Sequence, residues 1–369
     1  MHPRVVPVIA LFGLGLVASA QTPSFRANVS LVTLNVRVLD GRGLFVRDLV
    51  PADFSVSEDG VAQTVATFAL VDFPIPASAS DARLATPPLA RGDRVAHAGG
   101  RTYVLLVDDL HIAWDHVDRA KEFLRRFVRE DFAAGDRATV VFTSDPRPGA
   151  LTDQPERLVK AIDRFGFSGR WRSLLRPWQH PSLAAVSTVS DWLDSTPGHK
   201  ALVFVTEDVG CRLIDPNPAP FNAGRIGDEG SCWSDLREAT RKALRANATI
   251  YTIDPRGLSP IRTGGAESQS GMGSVRQLQR LNANEMARQQ PLRALAEDTG
   301  GFTLVGSNGF DNAFDRLVRE NSTFYVVGYY STNELKDGTF RKNHVRVNRR
   351  DVTVRYRSGY FAPRPTGSG

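Results

Sequence analysis

Asp108, Asp109 and His111 follow directly on an apolar run, Tyr103 to Val107, and a second acidic pair, Glu207 and Asp208, stands just beyond another, Ala201 to Val205. Neighbouring carboxylates with an imidazole close by are the raw material of a hydrolase site. The motifs that would complete one are missing. There is no Gly-x-Ser-x-Gly turn to present a nucleophile. There is no Gly-x-x-x-x-Gly-Lys phosphate loop, and no Gly-x-Gly-x-x-Gly after the first apolar run. Ser234 and Ser259 have no partner pattern around them, and His116 and His199 lack the His-Glu-x-x-His spacing of a zinc enzyme. Cys211 and Cys232 are the chain's two cysteines, with twenty residues between them. That segment is rich in Pro and Gly, so a disulfide closing a loop is the expectation; no His or Cys-x-x-Cys spacing nearby supports a metal site instead.

The chain's start says where this chemistry would operate. Arg4 precedes an apolar run, Val5 to Val17, and Ala18-Ser19-Ala20 precedes Gln21. A charged start, a greasy core and a small-x-small site make residues 1–20 a secretory signal. The run is shorter than the roughly 20 apolar residues of a membrane span. The expected location is periplasmic or extracellular, with no transmembrane span in the mature chain, and in an oxidising compartment a cysteine pair closes. The formal charge of +6 falls to +5 without Arg4. This mild excess is spread out. Its densest part, Arg341 to Arg357, alternates with Val and Tyr, as the wet face of strands does. Nucleic acid is therefore not an expected partner.

The elements that must position these residues fall into three groups. Val29 to Val38, Phe54 to Glu58 and Val65 to Leu70 alternate in hydrophobicity and are separated by Asp-Gly turns, which makes residues 21–73 a β segment. Residues 74–100 have a linker's composition. From residue 101 to 321 the pattern alternates strand and helix. Strand-like runs lie at Tyr103 to Val107, Ala138 to Phe142, Ala201 to Val205, Thr249 to Ile253 and Phe302 to Val305; helical spacing lies between them, with Asp115 as the cap of the first helix. Such an order predicts an α/β fold, a doubly wound, mainly parallel sheet. Residues 256–290, rich in Gly, Ser, Gln and Asn, read as a flexible insertion with room for a helix near Val275 to Met286, and a helix is expected at Pro291 to Asp298. Residues 322–362 turn β again, through Phe324 to Tyr330, Phe340 to Val347 and Val352 to Phe361, with 363–369 as a tail. Either β segment alone would leave a greasy face open. The economical solution is one β-sandwich built from both, with the α/β domain inserted.

Several blocks in order resemble the bacterial von Willebrand factor A-related proteins of acidobacterial type. They are Val36 to Asp40, Val46 to Leu49 and Asp53 to Gly60; then Tyr103 to Asp109; then Leu295 to Gly301, Tyr325 to Tyr329 and Val354 to Phe361. The resemblance spans nearly the whole mature chain, and implies a von Willebrand factor A-like domain with a metal-ion-dependent adhesion site. Such a site uses Asp-x-Ser-x-Ser after the first strand, a loop Thr, and an Asp after the fourth strand. Here Asp108 matches the leading Asp, but Leu110 and Ile112 stand where the two Ser belong. Glu207 takes the place of the second Asp, with Asp208 beside it. The loop residue is unassigned, with Ser168, Ser173 and Ser182 as candidates. The implied metal residues of this degenerate site are Asp108, Asp109, Glu207 and Asp208, the ion Mg²⁺ or, in its place, Mn²⁺ or Ca²⁺. The implied function is non-enzymatic binding of a protein or surface-polymer ligand. A structural envelope protein with a vestigial site, and a metal-assisted hydrolase, are the alternatives.

Overall fold

The computed structural model describes residues 31–73, 100–166, 180–211, 226–257, 271–306 and 310–363. The expected signal sequence, most of the expected linker, Ser168 and Ser173 lie outside these residues. In chain order the sandwich opens with β1 (Leu31–Leu39), β2 (Phe54–Glu58), β3 (Val61–Gln63) and β4 (Val65–Asp72). The α/β part runs β5 (Thr102–Val107), α1 (Val117–Arg126), β6 (Arg137–Phe142), α2 (Pro155–Asp163), α3 (Pro181–Asp194), β7 (Lys200–Val205), α4 (Ile226–Arg245), β8 (Ala248–Ile253), α5 (Gly271–Asp298), β9 (Thr303–Leu304) and α6 (Phe310–Ser322). Then β10 (Thr323–Tyr330), β11 (Phe340–Val347), β12 (Thr353–Arg355) and β13 (Gly359–Phe361) return to the sandwich.

The α/β sheet has the order β6-β5-β7-β8-β9, all parallel. An isolated antiparallel bridge between Ala138 and Thr152 extends the β6 edge. Period-two alternation in β5 explains how both faces are filled. Tyr103, Leu105 and Val107 face α1, α2 and α6, packing with Leu124, Ile162 and Phe314. Val104 and Leu106 face α3 and α4, packing with Leu183, Val186 and Leu236. All five are fully buried, which is why the run is continuously apolar.

The first and last segments form one sandwich, as their unmet burial requires. Its sheets are β12-β1-β10-β4 and β13-β11-β2-β3. β1 pairs with β10 from Leu31–Tyr330 to Val36–Tyr325. Val32, Leu34, Val36 and Val38 share one core with Tyr325, Val327, Tyr329, Phe54, Val56 and Val345. The run expected as one strand over 352–361 is instead two short strands, β12 and β13, in opposite sheets.

Two other details differ from the sequence expectation. Asp115 does not cap α1; it lies in a 3₁₀ turn, Trp114–His116, and the cap position falls on His116. The helix allowed for near Val275 to Met286 starts already at Gly271 and joins the one expected at Pro291 to Asp298, so α5 runs unbroken through Pro291. At its end Gly300 adopts φ +82°, and a Cβ on Gly301 would fall 1.9 Å from the Ile250 carbonyl oxygen. Only glycine fits both positions.

A buried arginine joins the sandwich to the α/β part, and a second braces the α/β part itself. Arg37, on β1, donates to the backbone carbonyls of Glu320 (2.5 Å) and Gly300 (3.0 Å). These carbonyls belong to the ends of α6 and α5, where a cation also meets the negative ends of the helix dipoles. Arg101 donates through Nε and Nη2 to both oxygens of Asp136, and through Nη1 to the Ser322 hydroxyl.

Candidate functional site

β5 leads to α1 on one side of the sheet, and β7 lies on the other side of β5 from β6. The strand order therefore reverses between β5 and β7, and open α/β sheets bind ligands at the carboxyl end of that point. Val107 pairs with Val205, so the residues that follow, Asp108 and Thr206, emerge side by side.

Asp108 is fully buried. Its Oδ2 accepts hydrogen bonds from Ser182 Oγ (2.7 Å) and Thr206 Oγ1 (2.8 Å), and lies 2.9 Å from His111 Nδ1. Its Oδ1 accepts from the Leu110 backbone N–H (3.2 Å), which closes the turn after β5. Burial alone would raise the Asp108 pKa. The charge on His111 and the donors from His111, Ser182 and Thr206 outweigh it and hold the carboxyl below its ordinary value. Ser182 Oγ also lies 3.0 Å from the same His111 nitrogen. On the other side of the imidazole stands Gly210, at φ +71°, where a Cβ would come within 3.1 Å of Nε2.

The other acidic residues share this edge but have separate partners. Asp109 turns to the end of β6, accepting from the Ser144 backbone N–H (2.9 Å) and hydroxyl (2.5 Å). Burial raises its pKa against those donors. Glu207 Oε1 accepts from the Ala113 N–H (2.9 Å) and meets His116 Nδ1 at 2.7 Å, so it fastens the turn between β5 and α1. Burial raises its pKa too, opposed by those same contacts. Asp208 accepts from the Gly210 N–H (2.9 Å) and lies 3.5 Å from Arg288 Nε. Among the described residues, none of these four joins a trio of His, Cys, Asp and Glu side chains close enough to share an ion; the trio that does form is His180, Cys211 and Cys232.

Three contributors were not singled out in the sequence. Thr206 stood beside the conspicuous Glu207, yet its hydroxyl is the one that reaches Asp108. Asp254 ends β8 as Asp108 ends β5; Arg256 bridges it to Glu285 with both contacts at 2.6 Å. The signal was the same, an acid closing an apolar run. Trp114 is 75% exposed on the turn that Glu207 fastens. Ser182, the loop candidate among the described residues, meets Asp108. The expected disulfide between Cys211 and Cys232 is formed, with both residues buried. Among the described residues no helix is long and apolar enough to cross a membrane.

The fold thus defines a doubly wound α/β domain carried on a β-sandwich. No family model matches the chain, and no curated protein matches it. Solved structures do. An aerotolerance-related membrane protein from Bacteroides fragilis is similar over 60% of this chain and 98% of its own, at 11% identity and a TM-score of 0.35. The vWF domain of the type V pili tip protein Mfa5 from Porphyromonas gingivalis is similar over 61% and 95%, at 12% identity and 0.35. The pilus adhesin SpaC from Lactobacillus rhamnosus GG is similar over 73% of this chain but 44% of its own, at 6% identity and 0.37. Likeness at these scores carries no argument about function, which must rest on the site.

Proposed function

We propose that the chain is an exported, non-enzymatic recognition module. It engages a protein or surface-polymer partner at the carboxyl end of β5 and β7, with a divalent cation at Asp108 as the bridge. The observation that carries this reading is the meeting of the Asp108 carboxylate with the Ser182 and Thr206 hydroxyls at 2.7 and 2.8 Å. One carboxylate and two hydroxyls are an oxygen set suited to a hard cation, which leaves room for a partner's carboxylate. Mg²⁺ is the first candidate, with Mn²⁺ and Ca²⁺ behind it. Because His111 Nδ1 lies at 2.9 and 3.0 Å from two of the three side chains, an arriving cation displaces the imidazole.

In this reading the other acids have supporting parts. Asp109, Glu207 and Asp208 shape the loops and add negative field, and do not ligate directly. Glu207 presents Trp114, and an exposed Trp beside a charged centre suits an anchor residue for a partner. The His111 geometry speaks against a hydrolase. A relay places nucleophile and acid on opposite ring nitrogens, whereas Ser182 and Asp108 both contact Nδ1. The disulfide agrees with an oxidising, extracytoplasmic compartment.

Titration calorimetry with Mg²⁺, Mn²⁺ and Ca²⁺ tests the proposal. Binding by the wild type that disappears in Asp108→Ala, and capture of a partner from envelope extracts that a chelator reverses, are the expected results. One observation favours a second reading, a structural envelope protein: the His111 imidazole already occupies the Asp108 carboxylate, 2.9 Å from its Oδ2. Silence with all three cations would establish that reading. Ester or phosphate hydrolysis lost in Asp108→Ala would establish the metal-assisted hydrolase instead.

A further inference from the structure

His180 ends the approach to α3 and is 3% exposed. Its Nδ1 lies 2.9 Å from Asp235 Oδ2 on α4. A ring nitrogen of His180 and the sulfurs of Cys211 and Cys232 all lie within 4.8 Å of one another, and all three residues are buried. In sequence the cysteines have no histidine at metal-ligand spacing. The fold supplies one from 31 positions upstream of Cys211, because α3 and α4 pack side by side under the sheet.

We propose that, when the disulfide is reduced, Cys211, Cys232 and His180 form a zinc site. The chemistry of the donors fits. Two thiolates and an imidazole are soft-to-borderline ligands that suit Zn²⁺ far better than Mg²⁺ or Ca²⁺. A ligating histidine characteristically has its second nitrogen held by a carboxylate, which fixes the ring and raises its basicity. Asp235 is placed to do this. The Cα atoms of the two cysteines are 5.5 Å apart. Tetrahedral bonds of about 2.3 Å put the two sulfurs roughly 3.8 Å apart, a separation that side-chain rotation supplies once the S–S bond is gone. The fourth position falls to water.

The step balances. A dithiol or phosphine reductant delivers two electrons to the disulfide and is itself oxidised. Each sulfur takes up one proton, and Zn²⁺ binding releases both as the thiols become thiolates. A disulfide reagent reverses this by thiol–disulfide exchange. It accepts the two electrons and leaves as two thiolates, and the S–S bond that forms expels the ion. The locus therefore holds either an S–S bond or a metal, never both.

Co²⁺ is the probe, because thiolate ligation gives it a near-ultraviolet charge-transfer band. The phosphine-reduced, full-length mature chain should develop this band and lose it when Zn²⁺ is added; the disulfide form should show neither change. Asp235→Asn should weaken Zn²⁺ binding by about tenfold, and His180→Ala by tenfold or more. A reduced protein that keeps its native circular dichroism but shows no thiolate band overturns the proposal. So does a band whose affinity is unchanged in His180→Ala. If reduction unfolds the chain, Zn²⁺ should restore the native spectrum in the wild type and not in His180→Ala; failure to restore it overturns the proposal equally.

Discussion

Ser182 and Asp108 are 74 positions apart in the chain, yet the Ser182 hydroxyl donates to the Asp108 carboxylate at 2.7 Å in full burial. Two different sheet crossovers produce this contact. β5 delivers the acid, and the first turn of α3 delivers the alcohol from the opposite face. A buried carboxylate costs several kcal/mol unless donors surround it. Here Ser182, Thr206, His111 and the Leu110 N–H supply them. The arrangement gives Asp108 a measurable pH signature.

Asp108 is held below its ordinary pKa of 3.8 in the folded state. At pH values between the folded and unfolded pKa the unfolded chain binds more protons, so stability rises with pH there. The stabilisation is complete above 3.8 and is lost as the pH falls through the lower, folded value. Asp108→Asn should flatten the acid limb of a melting-temperature profile. An unchanged acid limb would contradict the assignment.

His111→Ala should raise divalent-cation affinity if the imidazole competes for the Asp108 site. A hydrogen bond to a charged group contributes about 1.5–3 kcal/mol, so its removal should tighten Mg²⁺ binding by about ten- to a hundredfold. Calorimetry on the wild type and the variant measures this directly.

Arg37→Met keeps much of the side chain's apolar length but removes both donors to the Glu320 and Gly300 carbonyls. Two buried acceptors are then left unpaired at the junction, at about 1–3 kcal/mol each. Urea denaturation should show a loss of about 3 kcal/mol. Hydrogen exchange should show the loosening first at the ends of α5 and α6.

Asp131 lies at the end of the helical turn that continues α1, and burial, with Asp315 and Glu130 nearby, raises its pKa to about 6. Between 3.8 and about 6 the folded state binds the extra proton, so stability falls as the pH rises through that window. Asp131→Asn should be more stable than the wild type at neutral pH. After discounting for partial solvent exposure the gain is about 1 kcal/mol. The variant and wild type should converge near pH 4 in thermal melts.

Much of this was legible from residue pattern. The uninterrupted apolar run of β5 announced a strand covered on both faces, and the alternation in β1 and β11 announced half-buried sheets that needed each other. The cysteine pair was legible from its loop. What the pattern hid has physical causes. α5 reads in sequence as two pieces, near Val275 to Met286 and at Pro291 to Asp298, because Pro291 and the Gly- and Ser-rich residues before Val275 interrupt the pattern; its buried residues include Ala287, Leu292, Leu295 and Ala296. Thr206 and Glu207 are adjacent, and the charge drew attention to the wrong one: the backbone sends the hydroxyl to Asp108 and the carboxylate to Ala113. His180 meets the sulfurs, and Ser182 meets Asp108, only through tertiary contacts that no local spacing encodes.

β1 sits between β10 and β12, both made at the far end of the chain. A growing polypeptide can therefore assemble its parallel sheet while β1 still has two bare edges. Closing so large a loop is slow, and unpaired edges invite aggregation. A product cut short before residue 323 lacks every neighbour of β1. Strand β1 therefore stays bare until β10 and β12 reach it, so any fragment ending before residue 323 keeps an edge that is sticky and open to proteolysis.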